Sequence, residues 1–456
     1  MARLGVVLLV LLSTVFGLVL VEVALRLLPE SSGKRSPFTT DPVLHHRLRP
    51  NAVTRVRGVE FTTNSLGLRD REVTREKPAG VFRILMLGDS FTEGGGLVLA
   101  DTVAKRVEAK LNAAPCGGRY EVLNGGVGSY SPILEYLFVK TVGLGLAPDL
   151  VVLNFDMTDV HDDFIRTSGA RFGPDGLPVA VPSDRRAETA ILLPPLPKPA
   201  ALAFLEPVER WANRLAIVQV VRKSRVGKKL FGALRLSPER LDALGITGDI
   251  RYDIMAATRD GDSPDLREAW RLTERYLTAL HGLLRARRIP FVLVAYPHPH
   301  QVSATESPGG RRRFGVGAGL FASERPFRTL AELGRREGFP FVNLLPLFRE
   351  RSAAEGPLFW TDDIHHNPKG ARVFAEGIVR GLGAAQVLSQ CRAAATNSAS
   401  MRATARSQSN AVVTSVAPAA ARLARSAASV ARRSSFAARS ATSRRRATSA
   451  VSPSRA

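Results

Sequence analysis

Short apolar runs recur through the middle of the chain, separated by longer stretches with helical spacing. The runs fall near 82–88, 120–124, 149–155, 290–296 and 340–344. Each is too short for a buried helix and lacks the strict alternation of a half-exposed strand. They therefore predict strands covered on both faces. Helical patterns fall near 101–112, 131–143, 265–288, 325–338 and 368–382. Strands alternating with helices predict an α/β fold: a central parallel sheet between two helical layers.

The two ends break this pattern. From Leu4 to Leu20 the chain is almost wholly apolar, with Arg3 before it and Glu22 and Arg26 after. No Ala-x-Ala cleavage site follows, so residues 1–28 read as a retained signal anchor, a transmembrane helix. Arg3 and the amino terminus favour a cytoplasmic start. Arg26, Lys34 and Arg35 on the other side weaken that bias. Residues 390–456 are nearly all Ala, Ser, Arg and Thr, with 12 Arg and no Lys, Asp or Glu. Such a segment buries too little apolar surface to offset ordering entropy and is expected to be disordered. Its 12 Arg supply about half of the net charge of +23, leaving +11 for the rest. A basic tail suits anionic polymers or lipid heads, and under the anchor topology nucleic acid is out of reach. A shifted reading frame in a GC-rich gene gives the same composition, so the tail is assigned no function.

Candidate chemistry sits at two places. Gly88-Asp89-Ser90-Phe91-Thr92-Glu93-Gly94 follows the first apolar run directly, which puts Ser90 where a buried strand ends. Ligands of open α/β sheets collect at the carboxyl ends of strands. A serine hydroxyl is a poor nucleophile until a base and the base's partner activate it. Both are supplied by Asp362-Asp363-Ile364-His365-His366-Asn367-Pro368-Lys369-Gly370. Asn367 is a suitable N-cap and Pro368 a suitable first helical residue. Val373, Ile378 and Leu382 continue the helix as an apolar pattern. His365 is thus expected on a loop just before a helix. Asp362, three residues earlier, can curl back to the imidazole, and Asp363 is an open alternative.

With these residues in place, the chain resembles the SGNH (GDSL-type) family of esterases, lipases and carbohydrate O-acyltransferases, over about 45–385. The first family block is matched by Gly88 to Gly94, and the fifth by Asp362, His365, Asn367 and Gly370. The second resembles Val122-Leu123-Asn124-Gly125-Gly126-Val127-Gly128-Ser129-Tyr130. Thr63 to Asp70 resembles the lead-in of membrane-anchored bacterial members. The resemblance implies a flavodoxin-like three-layer sandwich over 81–389, a lead-in segment over 29–80, and a Ser90–His365–Asp362 triad. It also implies an oxyanion hole at Gly128 and Ser129, where members often carry glycine at the second position. The third block departs from the family. Thr158 stands in Val151-Val152-Leu153-Asn154-Phe155-Asp156-Met157-Thr158-Asp159 where an Asn donor is usual, and its hydroxyl, of shorter reach, is the candidate third oxyanion donor. Losing one such donor typically costs about 10²–10³ in rate. Asp89, Asn154 and His298 are candidate cleft residues.

The remaining features add less. Residues 165–265 read as an insertion, with a proline-rich stretch at Leu192 to Pro199 that excludes regular helix. Residues 203–232 mix apolar and basic positions, and three readings stay open: a lid, a membrane-resting element, or a helix packed on the main domain. His298 and His300 lack a third clustered ligand, so no metal site is expected, and no cofactor. His45 and His46 read as surface residues. Cys116 and Cys391 carry no CxxC partner, and no disulfide between them is expected. The expected function is a serine esterase acting outside the inner membrane on acyl esters or acylated carbohydrate. The alternatives are an O-acyltransferase or deacetylase of an envelope or secreted polysaccharide, and a non-catalytic glycan-binding protein.

Overall fold

The five apolar runs become five parallel strands of one sheet. The structure, a computed structural model, describes residues 2–27, 36–113, 119–183, 215–223, 243, 245–317, 319, 323–388 and 413–414. Contacts divide the chain into two units, Met1–Thr414 and Ser415–Ala456, and the second lies outside the described residues.

In chain order the first unit begins with α1 (Ala2–Leu27), β1 (Phe38–Asp41), β2 (His45–Leu48), β3 (Val53–Val56) and β4 (Val59–Thr62). The sheet then starts with β5 (Val81–Gly88), α2 (Ser90–Glu93), α3 (Val103–Ala113), β6 (Arg119–Asn124), α4 (Pro132–Thr141) and β7 (Leu150–Phe155). Next come α5 (Asp159–Thr167), the short pair β8 (Arg171–Phe172) and β9 (Pro178–Ala180), α6 (Ala216–Lys223) and α7 (Pro264–Arg285). The last part holds β10 (Phe291–Ala295), α8 (Pro299–Val302), α9 (Pro308–Arg313), α10 (Arg325–Glu337) and β11 (Phe341–Asn343). It closes with α11 (Leu345–Glu355), α12 (Pro368–Ala384) and β12 (Val413–Thr414).

The sheet order is β6-β5-β7-β10-β11, all parallel, with β12 antiparallel on the β11 edge. Counting only the parallel strands, this is the 2-1-3-4-5 order of flavodoxin-like sheets, whose switch point lies between the first and third strands. Here that crevice opens between β5 and β7. Every residue of β7 and β10 is buried, which is why neither strand shows polar alternation in sequence. Successive side chains still point to opposite faces. Leu85 and Leu87 pack with α4, α7 and α10, and Ile84 and Met86 with α3 and α12.

The lead-in segment is structured. β1 pairs with β2, and β3 with β4, each antiparallel. Arg57 and Gly58 turn the second hairpin, both at positive φ (52° and 81°), as the two-residue turn of a twisted hairpin requires.

Several expectations need correction or fall outside the described residues. Among the described residues no helix is long and apolar enough to cross a membrane, so the expected anchor is not found there. Ten of the 26 side chains of α1 are themselves outside the description. The proline-rich stretch, Cys116, Cys391 and the tail, apart from Val413–Thr414, also lie outside it. Of the 203–232 segment, α6 is described, and Ile217 N–H donates to Glu22 Oε2 of α1 at 3.0 Å.

Candidate active site

β5 ends at Gly88 with φ of 148°. A Cβ there would lie 2.2 Å from Thr92 Oγ1, so the tight entry into α2 needs glycine. Asp89 caps α2 by accepting the Phe91 N–H at 3.0 Å. Ser90 is the first helical residue, where backbone N–H groups have no intrahelical acceptor.

His365 Nε2 lies 2.8 Å from Ser90 Oγ. The imidazole precedes α12, which is capped as its sequence requires. Asn367 Oδ1 accepts from Lys369 N (2.9 Å) and Gly370 N (3.0 Å), and Pro368 opens the helix. The Phe91 ring lies on the imidazole, with centroids 4.6 Å apart. Nδ1–H donates to Asp363 Oδ1 at 2.5 Å. The carboxylate partner is therefore Asp363 rather than Asp362. The reason is local: Asp363 also accepts the His365 backbone N–H (3.3 Å), and an Asp side chain reaches naturally to the backbone two residues on. Asp362 is instead 67% exposed and binds Arg57 Nη2 at 2.6 Å. Arg57 Nη1 also lies 3.5 Å from Asp363. Burial raises the Asp363 carboxyl, but the His365 hydrogen bond and charge, with Arg313 nearby, hold it down at about 2.

The second-block turn packs directly on α2. A Cβ on Gly126 would lie 2.3 Å from the Glu93 backbone nitrogen. Gly128 N–H donates to Glu93 Oε2 at 2.6 Å, which commits it away from an oxyanion. Ser129 sits at φ 60° and lines the cleft. Thr158 lines it too, but its N–H donates to Asp156 Oδ1 at 2.6 Å and its hydroxyl also serves Asp156.

Below the serine lies a buried polar layer. Tyr296 OH bonds Asp89 Oδ1 (2.9 Å) and Asp156 Oδ2 (3.1 Å), and His298 Nε2 bonds Asp156 Oδ1 (2.8 Å). Burial, then the Asp156 charge, pushes Asp89 well up. Asp156 also feels burial, but His298 and Thr158 hold it low. Ser90 Oγ lies 3.3 Å from Asp89 Oδ2. Of the candidate cleft residues only Asp89 lines the opening. Asn154 is buried and donates to Thr92 Oγ1 at 3.0 Å, tying β7 to α2. His298 is fully buried. His45 and His46 are buried rather than on the surface, because the lead-in strands fold over the second-block turn.

The cleft, about 50 Å³ in volume, has apolar walls from Ile254 and Phe314. Sequence reasoning missed both, together with Arg57 and Glu93, since each lies far along the chain from the residues it joins or hides inside a matched block. Among the described residues no three His, Cys, Asp or Glu side chains are grouped to hold a metal ion.

Residues 258–449 match the model of the family described as SGNH hydrolase-like domain, acetyltransferase AlgX. That match covers less than half of the chain. The match takes in Asp363 and His365 and leaves Ser90 outside. Similar solved structures include a mutant of Axe2, an acetylxylan esterase from Geobacillus stearothermophilus. It is 14% identical, with 66% of this chain and 94% of that one covered and a TM-score of 0.34. Others are the acetyl xylan esterase AlAXEase (13%, 65% and 97%, 0.33) and LAE5, an alpha/beta hydrolase from the metagenome of Lake Arreo, Spain (14%, 66% and 94%, 0.33). No curated protein matches the chain.

Proposed function

We propose that this chain is an SGNH hydrolase-like enzyme that cleaves short acyl esters of carbohydrates through an acyl-enzyme on Ser90. The observation that carries this is the unbroken line from Ser90 Oγ through His365 to Asp363, opening on a cleft. His365 Nε2 takes the hydroxyl proton as Oγ bonds the acyl carbon. Asp363 holds the imidazole in the tautomer that leaves Nε2 as acceptor and stabilises the imidazolium. The N–H groups of Ser90 and Ser129 face the developing oxyanion. The alkoxide leaves as the ester C–O bond breaks, and His365 returns the proton to it. Water then gives a proton to His365 Nε2 as it attacks the acyl carbon, the bond from that carbon to Ser90 Oγ breaks, Oγ takes the proton from His365, and the carboxylic acid is released.

Cleft size supports a short acyl group. One water needs roughly 10–15 Å³, so a cleft of about 50 Å³ suits a group of acetyl size. The family match is to a domain described as an acetyltransferase, which favours a second fate: a sugar hydroxyl in place of water. We infer a membrane-side location from α1, where Val6, Leu9, Leu12 and Phe16 are 60–68% exposed. An apolar helix surface of that kind fits lipid.

The test is acetate release from p-nitrophenyl acetate and from acetylated xylo-oligosaccharide by the full chain. Turnover by wild type that is lost in Ser90→Ala supports the proposal. Equal release by both proteins contradicts it. Acetyl transfer to added sugar, at the expense of free acetate, selects the second fate.

A further inference from the structure

Two buried histidines of the lead-in segment have no place in the reaction above. His46 on β2 is 1% exposed, and its Nε2 lies 2.7 Å from the carbonyl oxygen of Gly128. That oxygen can only accept, so Nε2 carries the proton. Burial, then the charge of Arg166, lowers the His46 pKa to about 3, and the ring is neutral. A neutral ring protonated at Nε2 leaves Nδ1 as an acceptor. His45 Nδ1 stands 3.0 Å from it and must be the donor. The chain of hydrogen bonds thus runs from His45 to His46 to Gly128.

The Gly128 carbonyl and the Ser129 N–H belong to one peptide plane. In a trans peptide the two point in opposite directions. Fixing the carbonyl therefore fixes the direction of the N–H. Donation to the carbonyl also polarises the amide and strengthens its N–H as a donor. The same turn is held elsewhere: Glu93 Oε2 accepts from Gly128 N, Arg166 Nη2 donates to Ser129 O at 2.5 Å, and Tyr130 OH donates to His46 O at 2.8 Å. These contacts keep Ser129 at its positive φ of 60°, a conformation uncommon for serine.

We propose that His46, with its tautomer set by His45, is a positioning residue that aims the Ser129 N–H at the oxyanion. This rests on the acyl-enzyme reading above. It makes the lead-in strands a working part of the active site and not only a linker.

The test uses the full chain and p-nitrophenyl acetate, comparing wild type with His46→Leu, His46→Gln and His45→Phe. Thermal midpoints establish that each variant folds. Gln reaches Gly128 O with an amide N–H, and Leu offers no donor. His46→Leu is expected to lose about 10²-fold in kcat, the scale of an oxyanion donor, with KM changed less than about threefold. His46→Gln is expected to recover most of that loss. If His46→Leu does not fold, His45→Phe decides, with an expected fall of about tenfold as His46 loses its fixed tautomer. Unchanged kcat in the folded variants, or an equal fall in Leu and Gln, overturns the proposal. A wild type that turns over no ester overturns the acyl-enzyme reading itself, and this inference with it.

Discussion

His365 Nδ1 meets Asp363 Oδ1 at 2.5 Å, while the neighbouring Asp362 turns out to Arg57. Adjacent carboxylates thus have separate tasks. Asp363→Ala is expected to lower kcat by about 10²–10⁴, as loss of the imidazole's partner does in serine triads. Asp362→Ala removes an exposed ion pair and is expected to change kcat by less than about threefold, in line with the small worth of such pairs. Steady-state kinetics on both variants check the assignment, and a reversed order contradicts it.

Thr158 replaces the usual Asn donor, yet both its N–H and hydroxyl serve Asp156. Thr158→Val keeps the shape and the N–H. It is expected to lower kcat by less than about tenfold, well short of the 10²–10³ of a lost oxyanion donor. A fall of the larger size in kcat, with KM constant, would return Thr158 to the oxyanion hole.

Burial raises Glu93 from 4.5 to about 7, against the opposing pull of Gly128 N–H, Arg69 and His365. Between these values the folded chain holds a proton that the unfolded chain has released. This contribution to stability is complete below about pH 4.5 and lost as pH rises through 7. The full gap corresponds to roughly 3 kcal/mol. Glu93→Gln keeps an acceptor for Gly128 N–H and cannot ionise. Denaturant midpoints should show the variant gaining on wild type from pH 5 to pH 8. A pH-independent difference contradicts the buried acid.

Two glycines give opposite expectations. Gly126→Ala places a methyl 2.3 Å from the Glu93 nitrogen and is expected to cost about 3 kcal/mol or more, as overpacking against backbone does. Gly282 lies inside α7 with nothing within 4 Å of its Cβ position. Gly282→Ala is expected to stabilise by roughly 0.5–1 kcal/mol. Thermal unfolding of the two variants measures both.

The sheet was legible because each buried strand is a continuous apolar run, as in Leu150–Phe155 and Phe291–Ala295. Gly88-Asp89-Ser90 and Asn367-Pro368 were legible because turn and cap chemistry is local. Asp363 against Asp362 was not, since a one-residue choice depends on how the loop turns and on where Arg57 arrives. Arg57 lies 305 positions before Asp362, and no local pattern links them. The histidines of β2 were misplaced because a four-residue strand carries little periodic signal. Burial of His46 arises from packing on Gly128 and Tyr130, 80 or more positions on. Thr158 holds the donor's place in the block, but Asp156, two residues before it, takes its hydrogen bonds.

The most direct measurement is intact-mass and peptide mapping of the full chain after reaction with a small alkyl fluorophosphonate. The account predicts one adduct, on Ser90, absent in Ser90→Ala and formed far more slowly in His365→Ala. A folded wild type that takes up no adduct, or an adduct that persists in Ser90→Ala, contradicts an acyl-enzyme at this serine.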